Sequence, residues 1–370
     1  MMNIKTIYVI LAVAIAMTLV TASIPTPAFS QAENGQRKTI RIGYFPNINH
    51  AQAVIGLGRG DFQKALGDNV EVKTQIFNAG PAAIEALFAN QIDVTYIGPN
   101  PAINGYVQSN GEALRIISGA ASGGAVFVVR NDSGINSPQD LANKKFATPE
   151  LGNTQDIALR NYLLDNGLNT KEKGGNVEVL TAKNPDIVTL FLTKQIDGAW
   201  VPEPWGETLV KEGGGKIFVD ERELWPPEGK FVTANIIVKP DYLQNNPDVI
   251  KSLLGAHIDE TNWINSNKTA AIEAFNVELQ KLTQKTIAED VLNASLSRID
   301  FTYDPIRLSL FQDANDAYKL GFLSENPDVS GIYDLTILDQ VLQERGLPPV
   351  SGLNATGTNA TDALVSSDTG

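Results

Sequence analysis

Short apolar runs alternate with longer amphipathic ones from Thr39 onward, the grammar of an α/β domain built on mostly parallel strands. Residues 39–45 read as a first strand and 70–77 as a second, with Val70, Val72, Thr74 and Ile76 on one face. Between them residues 50–59 are expected to be helical, stopping near Gly60. Pro81 follows Gly80 where a first helical turn tolerates it, and Ile84, Leu87 and Phe88 continue at helical spacing before a strand over 92–97. Beyond Asp241 the spacing predicts helices over 249–265, 269–283, 286–298 and 306–320, covering the first half of the molecule.

The pattern then repeats. Pro46 and Gln52 recur as Pro149 and Gln155, each 103 positions later, and Gln91, Ile92 and Asp93 recur as Gln195, Ile196 and Asp197, each 104 later. The preceding helix matches too, Ile84, Leu87 and Phe88 standing against Val188, Phe191 and Leu192. Two lobes of like topology follow. The glycines around residues 118–124 suit a chain passing between lobes, and residues 225–237, a Pro-rich bend and an apolar strand, suit its return. The expected division is residues 37–125 with 230–348 for the first lobe and 126–229 for the second.

The ends differ from the body. Lys5, an apolar run over 7–20 and small residues up to Ser30 read as an export signal over residues 1–30, either cleaved or retained as an anchor. Residues 351–370 hold too few large apolar side chains to offset the entropy of ordering them, so a disordered tail is expected. Asn354 and Asn359 begin acceptor tripeptides for glycosylation.

Composition removes most of chemistry. The 370 residues include no Cys and only two His, His50 and His257, which argues against thiolate nucleophiles, Fe–S clusters and His-rich metal sites; no metal or cofactor is expected. A net charge of −13 argues against nucleic acid. Gly215-Lys216 and Gly229-Lys230 lack the Ser or Thr of a phosphate-binding loop, and no Gly-x-Ser-x-Gly elbow occurs. What recurs is a set of turn-forming polar residues between a strand and the helix after it: Asn47, Asn49 and His50; Gly80 and Pro81; Gly98, Pro99 and Asn100; Gly152 to Gln155. In open parallel sheets such turns face one crevice, and their helix starts offer free N–H donors and partial positive charge to a small anion. Trp200 and Glu203, after the corresponding strand of the second half, read as a cleft wall.

These residues resemble the solute-binding subunits of ABC importers, in the aliphatic-sulfonate, nitrate and taurine-binding group. The similar stretches are Ile42-Gly43-Tyr44 leading to His50, Asn78 to Pro81, Gly98 to Pro101, Ala147 to Asp156, Gln195 to Trp205, and Phe311 to Phe322. The resemblance implies a two-lobed clamshell closing on a small anionic solute, an aliphatic sulfonate or taurine first and nitrate or bicarbonate next. It implies an ABC permease and its ATPase as partners, a monomer, and an extracytoplasmic location. It also carries over as candidate contacts Asn47, His50, Gln52, Gly80, Pro81, Gly98, Asn100, Ser122, Gly123, Asn153, Thr154, Gln155, Trp200 and Glu203. The alternative is a thiamine-pyrimidine-precursor binder or a synthase-like enzyme on the same fold. Such synthases resemble this chain but look to need a Cys-rich iron site, which a chain without Cys does not supply.

Overall fold

The computed structural model describes residues 37–350; the export segment and the tail with its two acceptor tripeptides lie outside the described residues. Among the described residues, eleven strands form two sheets. The first holds β1 (Lys38–Tyr44), β2 (Val70–Ile76), β3 (Val94–Ile97), β4 (Arg115–Gly123), β10 (Val232–Val238) and β11 (Ile299–Phe301), in the order β11-β4-β10-β3-β1-β2. The second holds β5 (Ala125–Arg130), β6 (Lys145–Thr148), β7 (Glu178–Thr181), β8 (Gly198–Pro202) and β9 (Gly215–Asp220), in the order β7-β6-β8-β5-β9.

The helices, in chain order, are α1 (Ala51–Gly58), α2 (Asp61–Leu66), α3 (Gly80–Phe88), α4 (Pro99–Gln108), α5 (Thr154–Asp165), α6 (Asn184–Leu192) and α7 (Trp205–Lys211). They continue with α8 (Pro240–Asn245), α9 (Pro247–Ser266), α10 (Lys268–Thr283), α11 (Glu289–Leu296), α12 (Arg307–Lys319) and α13 (Thr336–Glu344). The last was not foreseen; its Leu338, Val341 and Leu342 are buried against the first lobe.

The repeat is visible in strand order and in individual hydrogen bonds. β2-β1-β3 and β7-β6-β8 are equivalent parallel triplets, each extended by an antiparallel neighbour, β10 or β5, so the sheets are mixed. Asp93 accepts from the N–H of Arg41 at 2.9 Å, and Asp197 accepts from the N–H of Lys145 at 2.9 Å, in both cases across 52 residues. Gln91 and Gln195 donate their N–H groups to Ala86 and Leu190, each at 2.8 Å, closing the two matching helices after a left-handed residue. The same three-residue stretch thus ends a helix and starts a strand in both lobes.

Both faces of each sheet are covered, which is why the central strands are nearly continuous apolar runs. Along β5, Val126 and Val128 enter one core while Phe127 and Val129 enter the other. The first lobe is thickened by α9 and α10, which pack on α1 and α2, whereas α11 reaches α7 and α12 reaches α5 in the second lobe.

The chain passes between lobes at Gly123 and Gly124, both at φ +76°, a region that side chains rarely adopt. A Cβ on Gly123 would stand 2.4 Å from the Arg298 carbonyl, and one on Gly124 would stand 2.3 Å from the Ile299 side chain. The crossover therefore requires glycine for space as well as for dihedral angle. The chain returns through residues 221–231 into β10.

Candidate functional site

Each parallel strand ends at the gap between the lobes. After β1 come Phe45, Asn47, Asn49 and His50; after β2, Asn78 to Gly80; after β3, Gly98 and Pro101. From the other side come Pro149 and Asn153 to Gln155 after β6, Asn184 after β7 and Pro202 at the end of β8. The starts of α3, α4, α5 and α6 therefore point their unpaired ends into one space. That space is nearly shut: about 20 Å³, room for a water-sized sphere and little more.

The turn before α5 is held from behind. Asp156 is fully buried and accepts from the Thr148 hydroxyl at 3.0 Å, the Gly152 N–H at 2.9 Å and the Arg160 guanidinium at 2.9 Å. Burial raises its pKa, opposed mainly by Arg160. Asn153 caps α5 by accepting from the Asp156 N–H at 2.9 Å and donates to Gln155 Oε1 at 3.2 Å. These bonds orient the turn and leave the Thr154 hydroxyl, facing the cavity, without a partner.

The cavity carries no formal charge, for no Lys, Arg, Asp or Glu lines it. His50 stacks on Phe45 with ring centroids 4.5 Å apart, and its Nδ1 accepts from the Phe45 N–H at 3.4 Å. Burial drives its pKa down to about 3, so the ring is neutral and carries its proton on Nε2. Asn49 Oδ1 and Asn184 Oδ1 are buried on the cavity without partners. Three unsatisfied polar atoms around one space are unusual, since each costs about 1–3 kcal/mol when left unpaired.

The depressed His50 pKa ties the stability of the fold to pH. The unfolded chain takes up a proton near 6.5 and the folded chain not until about 3, so this contribution to stability is intact above 6.5 and is lost as pH falls through that window. Denaturant titrations at a series of pH values are expected to show His50→Asn flattening the acid limb by about 1.4 kcal/mol per pH unit.

The lobes touch directly. Trp205 Nε1 donates to Asn47 Oδ1 at 2.8 Å, and the Ile48 N–H donates to the Glu203 carbonyl at 3.2 Å. Beside these contacts Arg298 reaches Glu203 at 2.7 Å and Glu207 at 2.8 Å.

Of the fourteen candidate contacts, Asn47, His50, Gly80, Gly98, Asn153, Thr154 and Gln155 come together on the cavity. The other seven do not line it. Trp200 is wholly buried in the second lobe, stacked on Phe127 at 5.3 Å and donating to Glu221 at 2.7 Å. Side chains within a strand project across the sheet, so of β8 only its last residue, Pro202, reaches the crevice. Glu203 points the other way, capping α7 through the Glu207 N–H at 2.9 Å and pairing with Arg298. Gln52 donates inside its own lobe, to the Ala120 carbonyl at 2.7 Å and to Thr261 at 3.2 Å. Asn100 donates to the Asp313 carbonyl at 3.3 Å, and Pro81 lies one position past the wall. Ser122 accepts from the Phe231 N–H at 3.2 Å, and Gly123 forms the crossover. Among wall residues missed by the sequence reading, Asn184 had a usable signal: Asn184-Pro185 stands 104 positions after Gly80-Pro81. Thr233, on the returning strand, had none.

Two repeated lobes closed over a polar cavity at their strand ends form the two-lobed clamshell of the periplasmic-binding-protein fold. The chain belongs to the NMT1-like family, which residues 33–277 match. A taurine-binding periplasmic protein of Escherichia coli K12 is 26% identical over 202 residues, 54% of this chain and 58% of the relative. A Bacillus subtilis protein named for binding aliphatic sulfonates is 22% identical over 320 residues, 85% of this chain and 91% of the relative. Among solved structures, the alkanesulfonate-binding protein SsuA of Xanthomonas axonopodis pv. citri superposes with a TM-score of 0.66 at 16% identity, over 80% of this chain and 98% of that one. That likeness establishes the fold.

Proposed function

We propose that the protein captures a small anion in the cleft, outside the cytoplasm, and that the closed monomer delivers it unaltered to a membrane permease driven by an ATPase. The observation that carries this reading is the trio of unpartnered polar atoms, on Asn49, Thr154 and Asn184, around a space without charged side chains. The Thr154 hydroxyl and His50 Nε2 supply donors, the Asn184 amide supplies another once turned over, while the Asn49 amide is held by its bond to the Thr233 carbonyl, and the helix starts add partial positive charge. Each helix start contributes about 0.3–1 kcal/mol when exposed and more when buried, so several together hold an anion without Lys or Arg. The net charge of −13 does not oppose this, because surface charge is screened beyond roughly 8 Å.

An aliphatic sulfonate or taurine is the first choice, supported by the likeness of the turn from Gly152 to Gln155 to sulfonate binders. The volume of about 20 Å³ favours a second reading, nitrate or bicarbonate, which have no tail to accommodate. A thermal-shift panel of taurine, ethanesulfonate, nitrate, bicarbonate and hydroxymethylpyrimidine separates these, because a ligand at a hundred times its Kd stabilises the folded form by about 2.7 kcal/mol. A shift from the pyrimidine alone would transfer the reading to a thiamine-precursor binder, and silence from every anion would overturn it.

Thr154→Val tests the donor directly. The hydroxyl has no partner without ligand, so its removal should leave the free protein as stable or slightly more so, yet weaken anion binding about tenfold in calorimetry. Loss of stability with unchanged affinity would remove Thr154 from the site.

A further inference from the structure

A second and far larger cavity, about 980 Å³, lies between the lobes beyond the closed cleft, where α5 and residues 221–230 face α12. Its walls are acidic: Asp165, Glu221, Glu228, Asp304, Asp313 and Asp316 face one base, Lys230, which is 60% exposed and already paired with Glu228 at 3.0 Å. Two of the acids are deep, Glu221 at 4% and Asp313 at 9% exposure. Glu221 accepts a single bond, from Trp200, and Asp313 Oδ2 has no partner at all. The rest of the wall is apolar and aromatic, with Ile157, Tyr162 and Leu308 beside Trp225, which stacks on Phe231 at 5.5 Å.

We propose that this cavity binds an organic ammonium ion with an apolar body, the charge seated at Asp313 and Glu221 and the body against Trp225 and Tyr162. Two buried carboxyls without a counter-charge are costly as anions, and a cation placed between them and solvent removes that cost. Consistently, burial pushes Glu221 up to about 7 and Asp313 well above the carboxylate range. The volume and the mixture of a few polar groups with aromatic walls suit a small organic molecule. Among the described residues no three acidic or imidazole groups converge as metal ligands, so the geometry favours a bulky cation over a metal ion. The walls come from both lobes, so occupancy favours the closed form and strengthens ligand binding in the cleft by the same factor as the reverse. The inference does not depend on which solute the cleft takes.

Calorimetry on the full chain with 2-phenylethylammonium, tryptammonium and agmatine tests it, with 2-phenylethanol as the uncharged control. Saturable binding of at least one amine is expected, with none of the alcohol. Asp313→Asn and Glu221→Gln, both near-isosteric with the neutral carboxyl, should each weaken it about tenfold or more, while Thr154→Val leaves it unchanged. Thermal melts establish that each variant folds, and either one suffices for the comparison. No binding by any of the three amines, equal binding of the alcohol, or full affinity in the folded variants would overturn the assignment. A failed anion panel with intact amine binding would strike the proposed function and leave this site standing.

Discussion

Gly98→Val is expected to weaken solute binding by roughly 10- to 100-fold while leaving the free protein folded. The backbone does not require glycine there: φ −70° and ψ 161° suit any residue before Pro99. What excludes a side chain is the opposite lobe, because a Cβ would stand 2.4 Å from Thr154 Oγ1, whereas the Thr233 carbonyl of its own lobe, at 3.6 Å, is an ordinary contact. Overpacking of this kind costs about 1–3 kcal/mol, which is the predicted loss of affinity. The cost is confined to the closed form, since separating the lobes relieves it. Calorimetry gives the affinity and a thermal melt without ligand gives the stability. Wild-type affinity would mean that closure at this contact is not what holds the solute. A large drop in the unliganded melting temperature would mean that Gly98 serves folding instead.

Arg298→Met should destabilise the protein by roughly 3–5 kcal/mol near neutral pH. Glu203 is fully buried, and besides Arg298 it has only neutral partners, the Ser295 hydroxyl at 3.0 Å and the Glu207 N–H at 2.9 Å. Removing the guanidinium strands a carboxylate in the interior. Burial already raises the Glu203 pKa, with Arg298 the main opposing influence, so the variant raises it further. A folded-state carboxyl that binds its proton more tightly than the unfolded one gains stability as pH falls, so the deficit should shrink on acidification. Adding Glu203→Gln, which still accepts from the Glu207 N–H, should recover part of the loss at neutral pH. Denaturant titrations at two pH values read both effects. A deficit below about 1 kcal/mol, or one indifferent to pH, would show that the pair contributes little. Arg298 lies between α11 and β11, and its partners lie on the other lobe, so the variant also weakens a link across the crossover.

The two-fold internal repeat was readable because it is local. Gln91-Ile92-Asp93 and Gln195-Ile196-Asp197 each end a helix, begin a strand and return one carboxylate to the preceding parallel strand, a device complete within about fifty residues. The turns at Asn47 to His50, Gly80, Gly98 and Asn153 to Gln155 were readable for the same reason, since strand ends in open parallel sheets share a crevice. Trp200 and Glu203 misled because nearness to a strand end in sequence says little about direction. One residue of alternation sends Trp200 across the sheet, and the capping of α7 turns Glu203 toward Arg298.

From the order of its residues alone, the chain prescribes two like halves, glycines where it crosses between them, and polar turns at the ends of its parallel strands. Hydrophobic period and turn chemistry act over a few residues, and both leave their mark on any short stretch. Tertiary structure alone decided that Gly98 meets Thr154, that Arg298 neutralises Glu203, and that Asp313 and Glu221 share an acidic cavity. Those pairings join residues 56, 95 and 92 positions apart, and they depend on packing distances of tenths of an ångström that no local pattern encodes.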